Sequence, residues 1–289
     1  MNQRGVALIV STALLAIAAL YFGAGEVLSR PAVRAVGKPP PDFPAQVVRI
    51  PTDSGRFVVG WFAPAEKQGP AVLLLHGVRA DRTQMLRRAR FLVEAGYSAL
   101  LIDLPAHGES PGDRITFGAR ESAGVRASVK FLRHALPSQR IGIIGVSLGA
   151  ASTVLAGLQP SADAVVIESM YPTIEEAVSD RLTMRLGPFA SELVPLLLWQ
   201  LPLRTGVSPS ELRPIEKLPR LHSPLFVISG AEDRHTKWEE TQRLYEAAQP
   251  PKELWKVAKA AHVDLHLFAP EEYQRRILVF FGKHLRNEA

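Results

Sequence analysis

A chain of 289 residues without cysteine has no disulfides, thiolate metal sites or cysteine nucleophile, so any covalent chemistry must use another side chain. Hydrophobic residues make up 47% of the chain and charged residues 21%, the proportions of a globular domain rather than of a disordered or many-span protein. The net charge of +6 includes Arg79, Arg82, Arg87, Arg88 and Arg90, but no aromatic residue interleaves with them as a nucleic-acid platform requires. That run is read as a solvated helix face, with contact to anionic lipid headgroups as the alternative.

From Val6 to Gly25 no charged residue occurs, and apolar side chains fall on every helical face. About 20 such residues span roughly 30 Å of hydrocarbon, and the run is longer than the apolar core of most signal peptides. Residues 1–25 are therefore expected to form a single-pass N-terminal transmembrane anchor, with a signal cleaved near Gly23-Ala24-Gly25 as the alternative. Arg4 precedes the run while Arg30, Arg34 and Lys38 follow it, so the flanking charge selects no side. A first span close to the N-terminus commonly acts in export, which places the folded domain outside the cytoplasm. In residues 26–45, Pro31, Pro39, Pro40, Pro41 and Pro44 predict a stiff extended tether, and the folded domain, 46–289, is expected to begin near Gln46.

Apolar runs bounded by turn residues then recur: Gln46 to Ile50, Arg56 to Phe62, Val72 to Leu75, Ala99 to Ile102, Ile141 to Ile144, Val165 to Ile167 and Leu225 to Ile228. The middle and late runs are short, continuous and rich in Val, Ile and Leu, as in strands covered by helices on both faces. Val125, Val129, Leu132 and Ala135 follow helical spacing between two of them. The alternation predicts an α/β fold with a mostly parallel sheet, entered by two antiparallel strands. Residues 171–220 interrupt it with an apolar stretch, Leu193 to Leu203, broken by Pro195 and Pro202. This segment predicts a small helical cap; extra core helices against the sheet are the alternative.

The strongest chemical signal is Gly145-Val146-Ser147-Leu148-Gly149, between a strand and the helical stretch from Ala150 to Leu158. A serine at such a turn is lifted to its tip, flanking glycines let strand and helix approach, and the helix N-terminus faces the reacting carbonyl. A serine hydroxyl needs a base, and the base needs a group that holds its tautomer. Downstream, Asp233 follows the strand Leu225 to Ile228, and His262 follows the strand-like Leu254 to Val257. Glu168, also after a strand, is the rival acid, while Asp264 reads as a loop-stabilising carboxylate.

The order Ser147, Asp233, His262 is that of an α/β-hydrolase. With Leu75-His76-Gly77, Asp103-Leu104-Pro105-Ala106-His107-Gly108-Glu109-Ser110, Gly230-Ala231-Glu232-Asp233 and Ala261-His262-Val263-Asp264, the chain from about Gln46 onward resembles the serine aminopeptidase and monoglyceride-lipase-like α/β-hydrolases. The resemblance implies Ser147 as nucleophile, His262 as general base and Asp233 as its orienting acid. It further implies an oxyanion hole formed by the backbone N–H groups of Val78 and Leu148.

The expected reaction is two-step acyl transfer on an ester, thioester or amide, with a lipid-like or otherwise apolar acyl substrate favoured by the anchor and the apolar cap. His76 and His107 are expected to border the site without transferring protons, with loop hydrogen bonding as the alternative. His262 and His266 lie four apart but lack a His-Glu-x-x-His pattern, and no Gly-rich phosphate loop follows the early strands, so no metal or cofactor is expected. The competing class is a binding or membrane-surface scaffold protein that retains the fold without turnover.

Overall fold

The computed structural model describes residues 11, 12, 15, 19, 21–159 and 161–286. After a helix over residues 21–29 (α1), the elements run β1 (Ala32–Val33), β2 (Gln46–Pro51), β3 (Phe57–Ala63), β4 (Ala71–Leu75), α2 (Leu86–Glu94), β5 (Ser98–Ile102), β6 (His107–Gly108) and α3 (Glu121–Ala135). They continue with β7 (Ile141–Val146), α4 (Leu148–Leu155), β8 (Ala164–Glu168), α5 (Ile174–Leu186), α6 (Val194–Thr205), β9 (Leu225–Gly230), α7 (Trp238–Ala247), β10 (Lys252–Val257), α8 (Leu265–Phe268) and α9 (Pro270–Phe281).

Eight strands form one sheet in the order β10-β9-β8-β7-β4-β5-β3-β2. Its pairs are parallel from β10 to β5, while β3 runs antiparallel to both β5 and β2. Each strand predicted from an apolar run is present, and the helix-free passage from β2 to β3 is the expected antiparallel entry.

The continuous apolar runs arise because the sheet is covered on both faces. Successive side chains of a strand point to opposite sides. On β4, Leu73 and Leu75 join the core under α3 and α4, whereas Val72 and Leu74 join the core under α2 and α9. Fully burying each such side chain contributes about 1.5–3 kcal/mol. Because β4 and β7 are neighbours at the centre of the sheet, the loops after them lie side by side. Functional groups in a sheet of this kind collect at the strands' carboxyl ends.

Two expectations are corrected. Residues 26–45 are not a free tether: β1 pairs in parallel with β6, and Phe43 is buried in the core. The carbonyl of Gly37 accepts from Trp61 Nε1 at 3.1 Å and from Arg82 Nη2 at 2.9 Å, while the N–H groups of Val36 and Gly37 donate to Glu109 Oε1 at 3.2 and 3.0 Å. Proline excludes helix and central strand, but an extended backbone retains polar groups that a folded surface can satisfy.

The arginine run is not uniformly solvated either. Arg82 is buried against Asp103 and Glu109, and Arg88 against Glu168 and Asp264. These pairings rather than solvent hold the Arg82 Nη groups and the Arg88 guanidinium, while Arg82 Nε is buried without a hydrogen-bond partner.

The insertion between β8 and β9 contains α5, α6 and four short 3₁₀ turns. Ala177, Val194, Leu198 and Leu201 extend the core, while other apolar side chains of the insertion face outward. It thus combines core packing with an outer layer. The expected span Val6 to Gly25 lies largely outside the described residues; among those described, no helix is long and apolar enough to cross a membrane.

Candidate active site

β7 turns into α4 at Ser147, whose backbone adopts φ 49° and ψ −105°. A non-glycine residue rarely occupies this region, and the turn persists because its surroundings enforce it. The Ser147 N–H donates to the Glu168 carbonyl at 2.8 Å. A Cβ on Gly145 would lie 2.6 Å from Ala150 N, and one on Gly149 would lie 2.5 Å from Leu75 O, so strand and helix approach too closely for side chains at either position.

The loop after β4 lies beside this turn: a Cβ on Gly77 would be 3.9 Å from Ser147 Cβ. Val78 follows in that loop, and Leu148 opens α4, where first-turn N–H groups have no acceptor within the helix. Gln84 Oε1 accepts the Gly77 N–H at 2.8 Å and fixes the loop. His76 pairs through Nδ1 with the Gly77 carbonyl at 2.7 Å, while its Nε2 accepts the Leu104 N–H at 3.0 Å. Burial pushes its pKa down to about 3, keeping the ring neutral. His107 pairs through Nδ1 with the Pro105 carbonyl at 3.0 Å, and its ring lies 5.1 Å from that of His76. Both histidines brace loops, the alternative role considered for them.

β9 delivers Asp233 to the loop at its carboxyl end. Asp233 Oδ2 accepts from His262 Nδ1 at 2.7 Å, while Oδ1 accepts the N–H groups of His235 at 2.8 Å and Thr236 at 3.0 Å. Burial alone would raise the pKa of this carboxyl. The hydrogen bonds from His262 and the backbone outweigh it and hold the group below the usual carboxylate range. The carboxylate thereby engages Nδ1 of His262, and Nε2 is the ring nitrogen it leaves unengaged.

The rival acids are committed elsewhere. Glu168 is buried, with its oxygens taken by Arg88 Nε at 3.1 Å, Arg88 Nη2 at 2.8 Å and Tyr273 Oη at 2.5 Å. Asp264 Oδ1 caps α8 through His266 N–H at 3.0 Å and Leu267 N–H at 3.1 Å, and its Oδ2 accepts from Arg88 Nη1 at 3.0 Å.

Sequence reasoning did not identify Gln84 or Arg88 as supports, nor His235, whose ring lies 4.9 Å from that of His262. Spacing alone did not reveal these partners, which for Arg88 lie as far as 185 positions away. Among the described residues, no group of three or more histidine, aspartate or glutamate side chains could hold a metal ion.

Residues 72–276 match the model of the alpha/beta hydrolase family. The chain belongs to that family. Among curated relatives of this hydrolase, the uncharacterized protein YqkD of Bacillus subtilis is 23% identical over 235 residues, covering 80% of this chain and 77% of its own. The uncharacterized protein Rv2307c of Mycobacterium tuberculosis is 29% identical over 253 residues, covering 86% and 80%.

Among solved structures, the esterase Pf2001 of Pyrococcus furiosus has a TM-score of 0.72 at 28% identity, with 87% of this chain and 97% of that chain covered. A thermophilic esterase of Thermogutta terrifontis, at 19% identity and TM-score 0.60, covers 83% and 100% and shares the fold. The family and its esterase neighbours support hydrolase activity in general terms.

Proposed function

We propose that the protein is a serine hydrolase that cleaves ester, thioester or amide bonds of an apolar acyl substrate through an acyl-enzyme on Ser147. The observation that carries this reading is the 2.7 Å hydrogen bond between Asp233 and His262, downstream of a serine at a strained strand-to-helix turn. In this mechanism Ser147 Oγ attacks the carbonyl carbon as His262 Nε2 accepts its proton, and Asp233 stabilises the imidazolium. The N–H groups of Val78 and Leu148 receive the developing oxyanion. Collapse breaks the bond to the leaving group, which takes the proton from His262. Water, deprotonated by His262, then hydrolyses the acyl-enzyme and restores Ser147.

Within the family, the motif blocks favour the serine aminopeptidase and monoglyceride-lipase-like kind. The likeness to the esterase Pf2001 favours ester chemistry, and the outward apolar side chains of the insertion favour an apolar acyl group. The uncharged run from Val6 to Gly25 supports attachment to a membrane, with the folded domain outside the cytoplasm. A C-terminal topology reporter in the cytoplasm would refute that orientation.

The substrate reading is tested with p-nitrophenyl esters of increasing chain length on wild type and Ser147→Ala. The expected result is kcat/KM rising with chain length in the wild type and lost in the variant. Equal turnover of acetyl and long-chain esters would remove the apolar-acyl preference. Folded wild type that turned over no ester would favour a binding protein.

A further inference from the structure

One face of the insertion is apolar where a water-exposed helix is expected to be polar. On α6, Leu196, Trp199 and Leu203 are 52%, 61% and 70% exposed and recur at i, i+3 and i+7, forming a single stripe. Val194, Leu198 and Leu201 of the same helix are buried in the core, so α6 is apolar on both its inner and outer faces. The end of α5 adds Leu186, and the turn before α6 adds Phe189, which is 87% exposed.

Gln200 and Arg204, each one residue beyond a member of the stripe, attach α1 along its flank. Gln200 Nε2 donates to the Tyr21 carbonyl at 3.2 Å, and Arg204 Nη2 donates to the Phe22 carbonyl at 2.5 Å. Arg204 Nη1 also pairs with Glu26 at 2.8 Å, and the other oxygen of Glu26 pairs with Arg114 at 2.6 Å. The Tyr21 hydroxyl donates to the Leu196 carbonyl. α1 presents its own exposed Phe22, Val27 and Leu28.

α1 begins within the uncharged run from Val6 to Gly25, which has the length of a bilayer's hydrocarbon core. The chain that emerges from this run is therefore fastened directly to the flank of an exposed apolar stripe. Arg185, beside Leu186, supplies an exposed positive charge for lipid phosphates.

We propose that the outer face of α6, the end of α5 with Leu186, the turn carrying Phe189, and α1 form one surface that rests on a lipid bilayer. The Gln200 and Arg204 contacts to α1 fix the orientation of the domain on that bilayer. The inference depends on the apolar run and on surface geometry, not on hydrolase chemistry. The outer apolar face thus has a lipid environment, and loss of the α1 contacts frees the domain to tilt away from it.

The test uses the full chain reconstituted in phosphatidylcholine vesicles with brominated acyl chains and compares tryptophan quenching in wild type and Trp199→Phe. The surface predicts that brominated lipid quenches a component of wild-type emission that Trp199→Phe lacks. It also predicts that Arg204→Ala reduces that component at unchanged circular dichroism. Equal fractional quenching in wild type and Trp199→Phe would overturn the proposal. So would a Trp199 that is unquenched by lipid yet shielded from iodide in a dimeric protein, because a second copy would then cover the stripe.

Discussion

Arg88 is the residue whose removal is expected to damage the domain most per atom lost. Its guanidinium is buried, donates twice to Glu168 and once to Asp264, and stands 5.1 Å from the centre of the Tyr273 ring. Arg88→Leu leaves Glu168 as a buried carboxylate supported by the Tyr273 hydroxyl, and breaking a buried pair in this way costs about 3–5 kcal/mol.

For a domain of this size that loss corresponds to a fall in Tm of roughly 6–20 °C. Replacing Glu168 by leucine in the same background removes the stranded charge. The double variant is therefore expected to recover much of the loss, with a coupling energy of about 2 kcal/mol or more. Urea unfolding of wild type, both single variants and the double variant measures this directly. A double variant destabilised by the sum of the two single losses would refute the reasoning.

Three further outcomes follow from the geometry. Asp233→Asn is expected to retain the fold and lower kcat roughly 10³–10⁴-fold, because the amide favours the wrong imidazole tautomer; a loss under about tenfold in ester hydrolysis would remove Asp233 from that role. Gly149→Ala places a Cβ 2.5 Å from Leu75 O and is expected to destabilise by about 1–3 kcal/mol, so an unchanged Tm would contradict the close approach.

Glu240 is pushed up to about 8 by burial and by the neighbouring carboxylate of buried Asp180. Its side chain holds a proton in the native state that the unfolded chain releases above its ordinary value of 4.5. This contribution makes stability fall as pH rises from about 4.5 to about 8. Glu240→Gln is therefore expected to gain Tm relative to wild type between pH 5 and pH 8, and melting curves that keep a constant separation would contradict it.

Much of the fold was legible because its signals are local. Strand runs such as Val72 to Leu75 are short, apolar and bounded, and the Gly145 to Gly149 turn carries its own steric requirement. The Asp233 and His262 positions were legible from chain order after strands, although the hydrogen bond between them spans 29 residues. Arg88 was misread because its partners Glu168 and Tyr273 lie 80 and 185 positions away, and a charged residue on a helical pattern defaults to solvent. The Pro-rich segment was misread because proline reports on the helix and strand it prevents, not on the docking of an extended backbone. α6 was ambiguous between cap and core because both of its faces are apolar.

The central claim is that Ser147 becomes covalently acylated, and intact-protein and peptide mass spectrometry after reaction with a fluorophosphonate tests it most directly. The account predicts one adduct per chain, carried by the peptide containing Ser147, formed more slowly while a saturating ester substrate is present and absent in Ser147→Ala. An adduct on another residue, or none on folded wild type that turns over esters, would contradict it.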